Sequence, residues 1–220
     1  MNKFLESTLG HFGVVVYTGT KNVEFDGEYV TGQWASQPTI IRFGLRPRAA
    51  AVELLNALSG RKNDSSQKAV LQFTRKYGPL NVPFIAGETF RFAIGDWKAQ
   101  RNRLLISWKI VSTAGKQGRP VYIRVDGNNG DHFCIEHGCL SFRTKRLMTY
   151  MELEVASVPA QRLRKCANFA YGCESPYFFA DDLRNKYCSD ACSIAGKNRA
   201  KLEWWNENRK GGQDGTQKTR

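Results

Sequence analysis

Four cysteines in the last third of the chain, spaced C-x6-C-x14-C-x3-C, constrain its fold more than any other feature. They are Cys166, Cys173, Cys188 and Cys192. Two pairs of thiols separated by a short insert can surround one tetrahedral Zn²⁺, whose structural shell is four N or S ligands at about 2.0–2.3 Å. A metal held this way replaces most of the core that so short a segment cannot build for itself. The flanks agree with that use. Tyr187 precedes Cys188 as a strand residue would, Ser189 and Asp190 are helix N-cap candidates, and a helical pattern follows from Cys192 onward. Phe169, Tyr177, Phe178 and Phe179 offer a small apolar mat for the finger core. Knuckle, hairpin, second pair and helix, in that order, make a treble-clef-like finger with one structural Zn²⁺.

Two disulfides are the alternative use of four such cysteines, and they belong to oxidising compartments. The N-terminal stretch MNKFLESTLGHFGVVVYTGT carries only the short apolar run VVVY, too brief for a signal-peptide core or a membrane span. A cytoplasmic protein with no membrane partner is therefore expected, and paired cysteines there point to metal.

The chain has 220 residues, enough for a real core beside the finger, and a formal charge of +13. Such a basic balance favours anionic partners, nucleic acid first among them. The expected fold class is α+β. Residues 1–158 form an N-terminal domain of unknown ligand, with strands followed by a helical core. A linker at Pro159 leads to a finger over 162–209, and 210–220 is a disordered tail without apolar content. Residues 12–45 read as short strands with turns at Thr18–Thr20, at Asp26-Gly27 and around Pro38. A helix carries Ala51, Leu54, Leu55 and Leu58 up to Gly60. A second, capped by Asp64 or Ser65, carries Val70, Leu71, Phe73 and Tyr77 and stops at Gly78-Pro79. A third spans 96–112 behind Asp96, with Trp97, Leu104, Trp108 and Val111 at helical spacing. A break at 115–118 precedes a strand VYIRV and a turn GNNG. Leu140–Val155 reads as helical through Leu147, Met151 and Val155.

The segments RLRKCAN, YCSDAC and GKNRAK, together with LQFTRKYGPL and DWKAQRNRLLISWKI upstream, resemble the bacterial proteins that end in a CGNR-type zinc finger, often behind an N-terminal domain of the ABATE type. That resemblance implies a four-cysteine finger and a stress-linked regulator of transcription. The chain departs from the pattern in two places. Its first pair is spread to Cys166 and Cys173, and its tetrapeptide reads Gly196-Lys197-Asn198-Arg199, the cysteine falling at Cys192 instead.

On a helical wheel of 191–208, Ala191, Ile194, Ala195, Leu202 and Trp205 share a face expected to pack on the finger or the larger domain. Lys197, Lys201 and Trp204 fall together on an adjacent face, with Asn208 beside them, while Arg199 lies apart near Glu203. Lysines that neutralise phosphates and an indole that offers its π-face make a nucleic-acid platform. Arg164 and Lys165, before the first ligand, extend the basic surface. DNA is the expected target, with a homodimer or a protein partner supplying specificity beyond one short helix.

Two other uses compete. A protein-interaction adaptor would anchor partners on Tyr177–Phe179. A treble-clef nuclease would need a histidine within the finger, and the chain's three, His11, His132 and His137, all precede it. Asp181 and Asp182 read as turn residues, so no enzyme is expected. His132, Cys134, His137 and Cys139 form a second ligand-rich cluster whose spacing fits no zinc pattern, and buried cysteines with exposed histidines are the simpler reading.

Overall fold

The computed structural model describes residues 13–42, 50–57, 63–80, 82–118, 132–136 and 139–210. It is a mixed α+β protein in which N-terminal strands are followed by helices, with the four cysteines close together near the C-terminus. The elements run β1 (Gly13–Asp26), β2 (Tyr29–Arg42), α1 (Ala50–Ala57), α2 (Asn63–Tyr77), β3 (Thr89–Ala93), α3 (Ile94–Lys116), β4 (His132–Glu136), β5 (Cys139–Thr144), α4 (Leu147–Ser157), β6 (Leu163–Lys165), β7 (Tyr177–Phe179) and α5 (Asp190–Lys210). Five strands form one sheet in the order β3-β2-β1-β5-β4, and β6 and β7 form a separate pair. All pairings are antiparallel except β1 with β5, where residues 13–16 run beside 141–144. Among the described residues no helix is long and apolar enough to cross a membrane.

The N-terminal region is one long hairpin rather than several short strands. Only Asp26-Gly27 turns the chain, with Gly27 in the left-handed region at φ +62°. The glycine and polar residues near 18–22 become bulges instead: the register slips between Thr18 and Thr20 and again between Lys21 and Glu24. Pro38 sits inside β2, where the described ladder to β3 covers only Tyr29–Gln33, so its missing N–H interrupts nothing on that side.

Helices α2 to α4 pack on the sheet, α1 packs on those helices, and together they bury the residues that periodicity picks out. Ala51, Leu54 and Leu55 of α1, Val70, Phe73 and Tyr77 of α2, and Trp97, Leu104, Trp108 and Val111 of α3 all lie in one core. Trp97 meets Phe73 edge-on at 5.0 Å between centroids, and Trp34 of β2 contacts Phe84 and Phe90 at 5.0 and 5.4 Å. Helix α1, only eight residues long, is held at both ends by side chains from its neighbours. The Glu154 carboxylate of α4 accepts the Ala51 N–H at 2.9 Å, and the Arg101 guanidinium of α3 donates to the Leu55 carbonyl at 2.9 and 3.1 Å.

Helix α3 is longer at both ends than its spacing predicts. It starts at Ile94, whose N–H donates to the Glu28 carbonyl in the hairpin turn at 3.0 Å, leaving Asp96 in the first turn. It runs past Gly115, where the absent Cβ leaves room for Ala160, and ends at Lys116, with Gly118 two residues beyond at φ +65°. The segment 140–155 is a correction. Residues 139–144 are strand β5, because Phe142 and Thr144 alternate into the core against β1, and the helix begins only at Leu147. Leu58, Gly60, VYIRV, GNNG and the tail after 210 lie outside the described residues.

Pro159 does not open a loose linker. Val158 is buried, a 3-10 turn at Ala160–Arg162 packs on α3, and Leu163 of β6 joins the main core. Tyr177 and Phe179 of β7 lie on either side of the Trp108 contact, edge-on at 5.8 Å and stacked at 5.4 Å. The aromatic run expected as finger core is therefore the seam that joins the finger to the body. Asn56, buried at the end of α1, closes that seam by donating to the Tyr177 carbonyl and accepting its N–H, both at 2.9 Å. Asn56→Ala leaves two backbone groups of β7 without partners, and a loss of about 2–4 kcal/mol is expected in urea unfolding. Asn56→Asp, which sets a buried carboxylate against the Tyr177 carbonyl, should cost at least as much as Asn56→Ala at neutral pH.

Candidate metal centre

The two pairs of thiols arrive from different kinds of backbone. Cys166 follows β6 directly, its N–H donating to the Pro176 carbonyl at 2.6 Å. The chain then folds back through a 3-10 turn at Phe169–Tyr171. The Phe169 N–H donates to the Cys166 carbonyl at 3.0 Å, and the N–H groups of Tyr171 and Cys173 both donate to the Asn168 carbonyl, at 3.0 and 3.2 Å. Gly172 takes φ +90°, which only glycine adopts without strain. One short turn and one left-handed glycine thus close the six-residue gap that separates this pair. On the other side Ser189 caps α5. Its hydroxyl accepts the Cys192 N–H at 3.3 Å and its carbonyl accepts the Ser193 N–H at 3.0 Å. That cap fixes Cys192 in the first helical turn, one turn after Cys188. Tyr187 is a bend rather than a strand residue, and its ring packs on Gly196, where any Cβ would collide with it.

The four sulfurs lie within 4.8 Å of one another, with Cys173 and Cys188 at 3.5 Å and Cys188 and Cys192 at 3.6 Å. A tetrahedron of thiolates at a Zn–S distance of about 2.3 Å has edges of about 3.8 Å, so the spacing is that of one shared metal ion. The donor set is all sulfur, which fits a soft or borderline ion such as Zn²⁺ and not Mg²⁺ or Ca²⁺. Burial pushes the Cys173 and Cys188 thiols up. It acts the same way on Cys192, but hydrogen bonds from the Ser189 hydroxyl and the neighbouring thiols outweigh it and leave Cys192 below its ordinary value. Four thiolates this close repel one another, and a divalent cation removes that conflict.

Asn168 ties the two halves of the centre together. Buried between them, its amide N–H₂ donates to the Cys192 carbonyl and its oxygen accepts from the Arg199 guanidinium. The guanidinium lies 3.2 Å from the centre of the Tyr171 ring. Neither role is visible from spacing. The one hint was a polar residue two places after a ligand.

The residues read as a nucleic-acid surface do not form a single cluster. Lys197, Lys201 and Trp204 are exposed on α5. Arg199 faces inward as part of the knuckle. Arg164 donates to the Leu183 carbonyl at 2.9 Å, and the Lys165 ammonium sits 3.5 Å from the centre of the Phe169 ring. Asp182 accepts both the Arg184 N–H and its guanidinium at 2.8 Å, as a turn residue does. The expected packing face of α5 is open: Ile194, Leu202 and Trp205 keep 59%, 63% and 48% of their surface, beside Trp204 at 56%. The finger grips α5 through Gly196 and Arg199, a different side of the helix, and among the described residues nothing covers the apolar stripe.

Among the described residues the four cysteines are the one group placed to hold a metal. In the second cluster His132 and Cys134 belong to β4 and Cys139 to β5, with Glu136 paired to Cys139 in the ladder, and His137 lies outside the described residues. No family model, curated protein or solved structure matches this chain.

Proposed function

We propose that the protein is a zinc-binding, nucleic-acid-binding factor with a regulatory role, its finger holding one structural Zn²⁺ through Cys166, Cys173, Cys188 and Cys192. The observation that carries the reading is the state of α5. Every residue from Ala200 to Arg209 is exposed, on a chain with a formal charge of +13. Lys197, Lys201 and Trp204 then face solvent at the end of a rigid, metal-braced stem, where lysines can meet phosphates. The resemblance to CGNR-type fingers points the same way, and DNA is the target it favours.

The adaptor reading loses its anchor, since Tyr177 and Phe179 are spent on Trp108. Its remaining support is the open stripe of Ile194, Leu202 and Trp205, which a second copy or a protein partner would cover. Salt separates the readings. Lys197→Ala combined with Lys201→Ala should weaken oligonucleotide binding about tenfold or more, and reduce the slope of log K against log salt by about 2. Fluorescence anisotropy from 50 to about 300 mM salt measures both. Unchanged affinity and slope would remove this helix from the interface.

A further inference from the structure

We infer that the exposed arm of α5 binds single-stranded rather than duplex nucleic acid, an inference that rests on the nucleic-acid reading above and narrows it. Base edges in a duplex groove are read by Arg, Asn, Gln or Lys side chains that can offer paired donors and acceptors. Here Arg199 is bound to Asn168 and Tyr171, Arg164 to the Leu183 carbonyl, and Asn208 to the Trp204 carbonyl of its own helix at 2.8 Å. Asn198, Asn206 and Arg209 remain, on the Leu202 side of the helix and away from Trp204, while Lys197 and Lys201 beside Trp204 can donate but not accept. The N-terminal end of α5, which groove-reading helices present to the bases, is occupied by Ser189 and Cys192 in the metal centre and carries Asp190.

What remains exposed is a set of aromatic faces with cations beside them. Trp204 and Trp205 meet at 5.3 Å between centroids and 81° between planes, so the two indoles cannot stack on each other and both keep surface free. Lys201 lies one turn before them on the same helix, and Lys197 one turn earlier still. At the knuckle Phe169 and Tyr171 are exposed as well, each with a cation over its ring. An indole contributes little to reading a base-pair edge, for it has a single donor. It contributes much to holding an unstacked base, because every base has a π-face. Lysines beside it neutralise the backbone without fixing sequence. Rings interleaved with lysines are the composition that single-strand binding needs.

The test is anisotropy of the zinc-loaded full chain with a labelled 20-nucleotide oligo-dT and with a 20-base-pair duplex, at 50 and 150 mM salt. The expected result is at least tenfold tighter binding of the single strand. Trp204→Ala with Trp205→Ala should remove at least tenfold of that affinity and leave the salt slope unchanged, zinc content confirming an intact finger. Duplex binding as tight as or tighter than the single strand overturns the inference and leaves the nucleic-acid reading standing, as does a Trp variant that binds oligo-dT like the parent. Binding of neither probe overturns both.

Discussion

Cys188→Ser is expected to release the metal and unfold residues 162–209, and also to weaken the body of the protein. Structural zinc contributes on the order of 10 kcal/mol to the folding of such a domain, and three ligands with no fourth hold it far less tightly. The wider effect follows from the seam at Trp108. Leu163 is fully part of the main core, and Tyr177 and Phe179 cover the indole from β7. Melting the finger strips all three from the body and leaves Asn56 without its two backbone partners. At the usual value for burying apolar side chains, that removes about 3–6 kcal/mol from residues before Pro159. Metal content by mass spectrometry and urea unfolding followed by tryptophan fluorescence read the two effects separately. Retention of one equivalent of metal by the variant would sink the ligand assignment. Loss of metal with an unmoved unfolding midpoint of the body would sink the coupling.

Glu154→Gln is expected to abolish a large part of the fall in stability between the ordinary carboxylate range and about pH 8. Glu154 is fully buried. One carboxylate oxygen accepts the Ala51 N–H, and the other has no hydrogen-bond partner among the described residues. Burial dominates its ionisation and pushes its pKa up to about 8; the Ala51 N–H opposes this and the Glu53 charge adds to it. In the unfolded chain the same group titrates in the ordinary carboxylate range. Between those values the folded state holds a proton that the unfolded state has released, so stability is full below the lower value and falls as pH rises through the upper one. The loss is on the order of 4 kcal/mol. An amide keeps the shape and can still accept the Ala51 N–H, but it does not ionise. The difference in unfolding free energy between variant and parent, taken at intervals from pH 5 to 9 with zinc present, removes the contribution of the metal ligands. It should move in the variant's favour as pH rises, and parallel curves would reject the assignment.

The parts of this molecule that could be read from sequence are those whose chemistry is local. Thiols at metal spacing, a serine before a helix and leucines every third or fourth residue each act within a few positions of themselves. The cluster of Cys166, Cys173, Cys188 and Cys192, the Ser189 cap and the buried stripe of α3 were legible for that reason. Asn56 and Asn168 were not, because each bonds to backbone far along the chain and no spacing marks such a partner. Trp108 reads as core in both views, but only the fold says that its neighbours come from the finger. The same limit moved Tyr177 from the finger core to the seam and left Trp205 open. An aromatic residue must find a surface, and sequence does not say which side of a helix the finger will grip. Strand β5 was missed because its alternating Leu140, Phe142 and Thr144 run without a break into the helical spacing of α4.

The place of β5 in the sheet also sets an order of events during synthesis. β1 and β2 can zip into a hairpin as soon as they leave the ribosome, yet one edge of β1 is reserved for residues 141–144. Until well over half of the chain has been made, that edge carries unpaired amides and carbonyls along GVVV, a run with every property of a self-associating strand. Pairings so distant in sequence close slowly. The newborn protein is therefore most vulnerable to aggregation before its finger exists, and a chaperone that shields an open strand edge would act on it then.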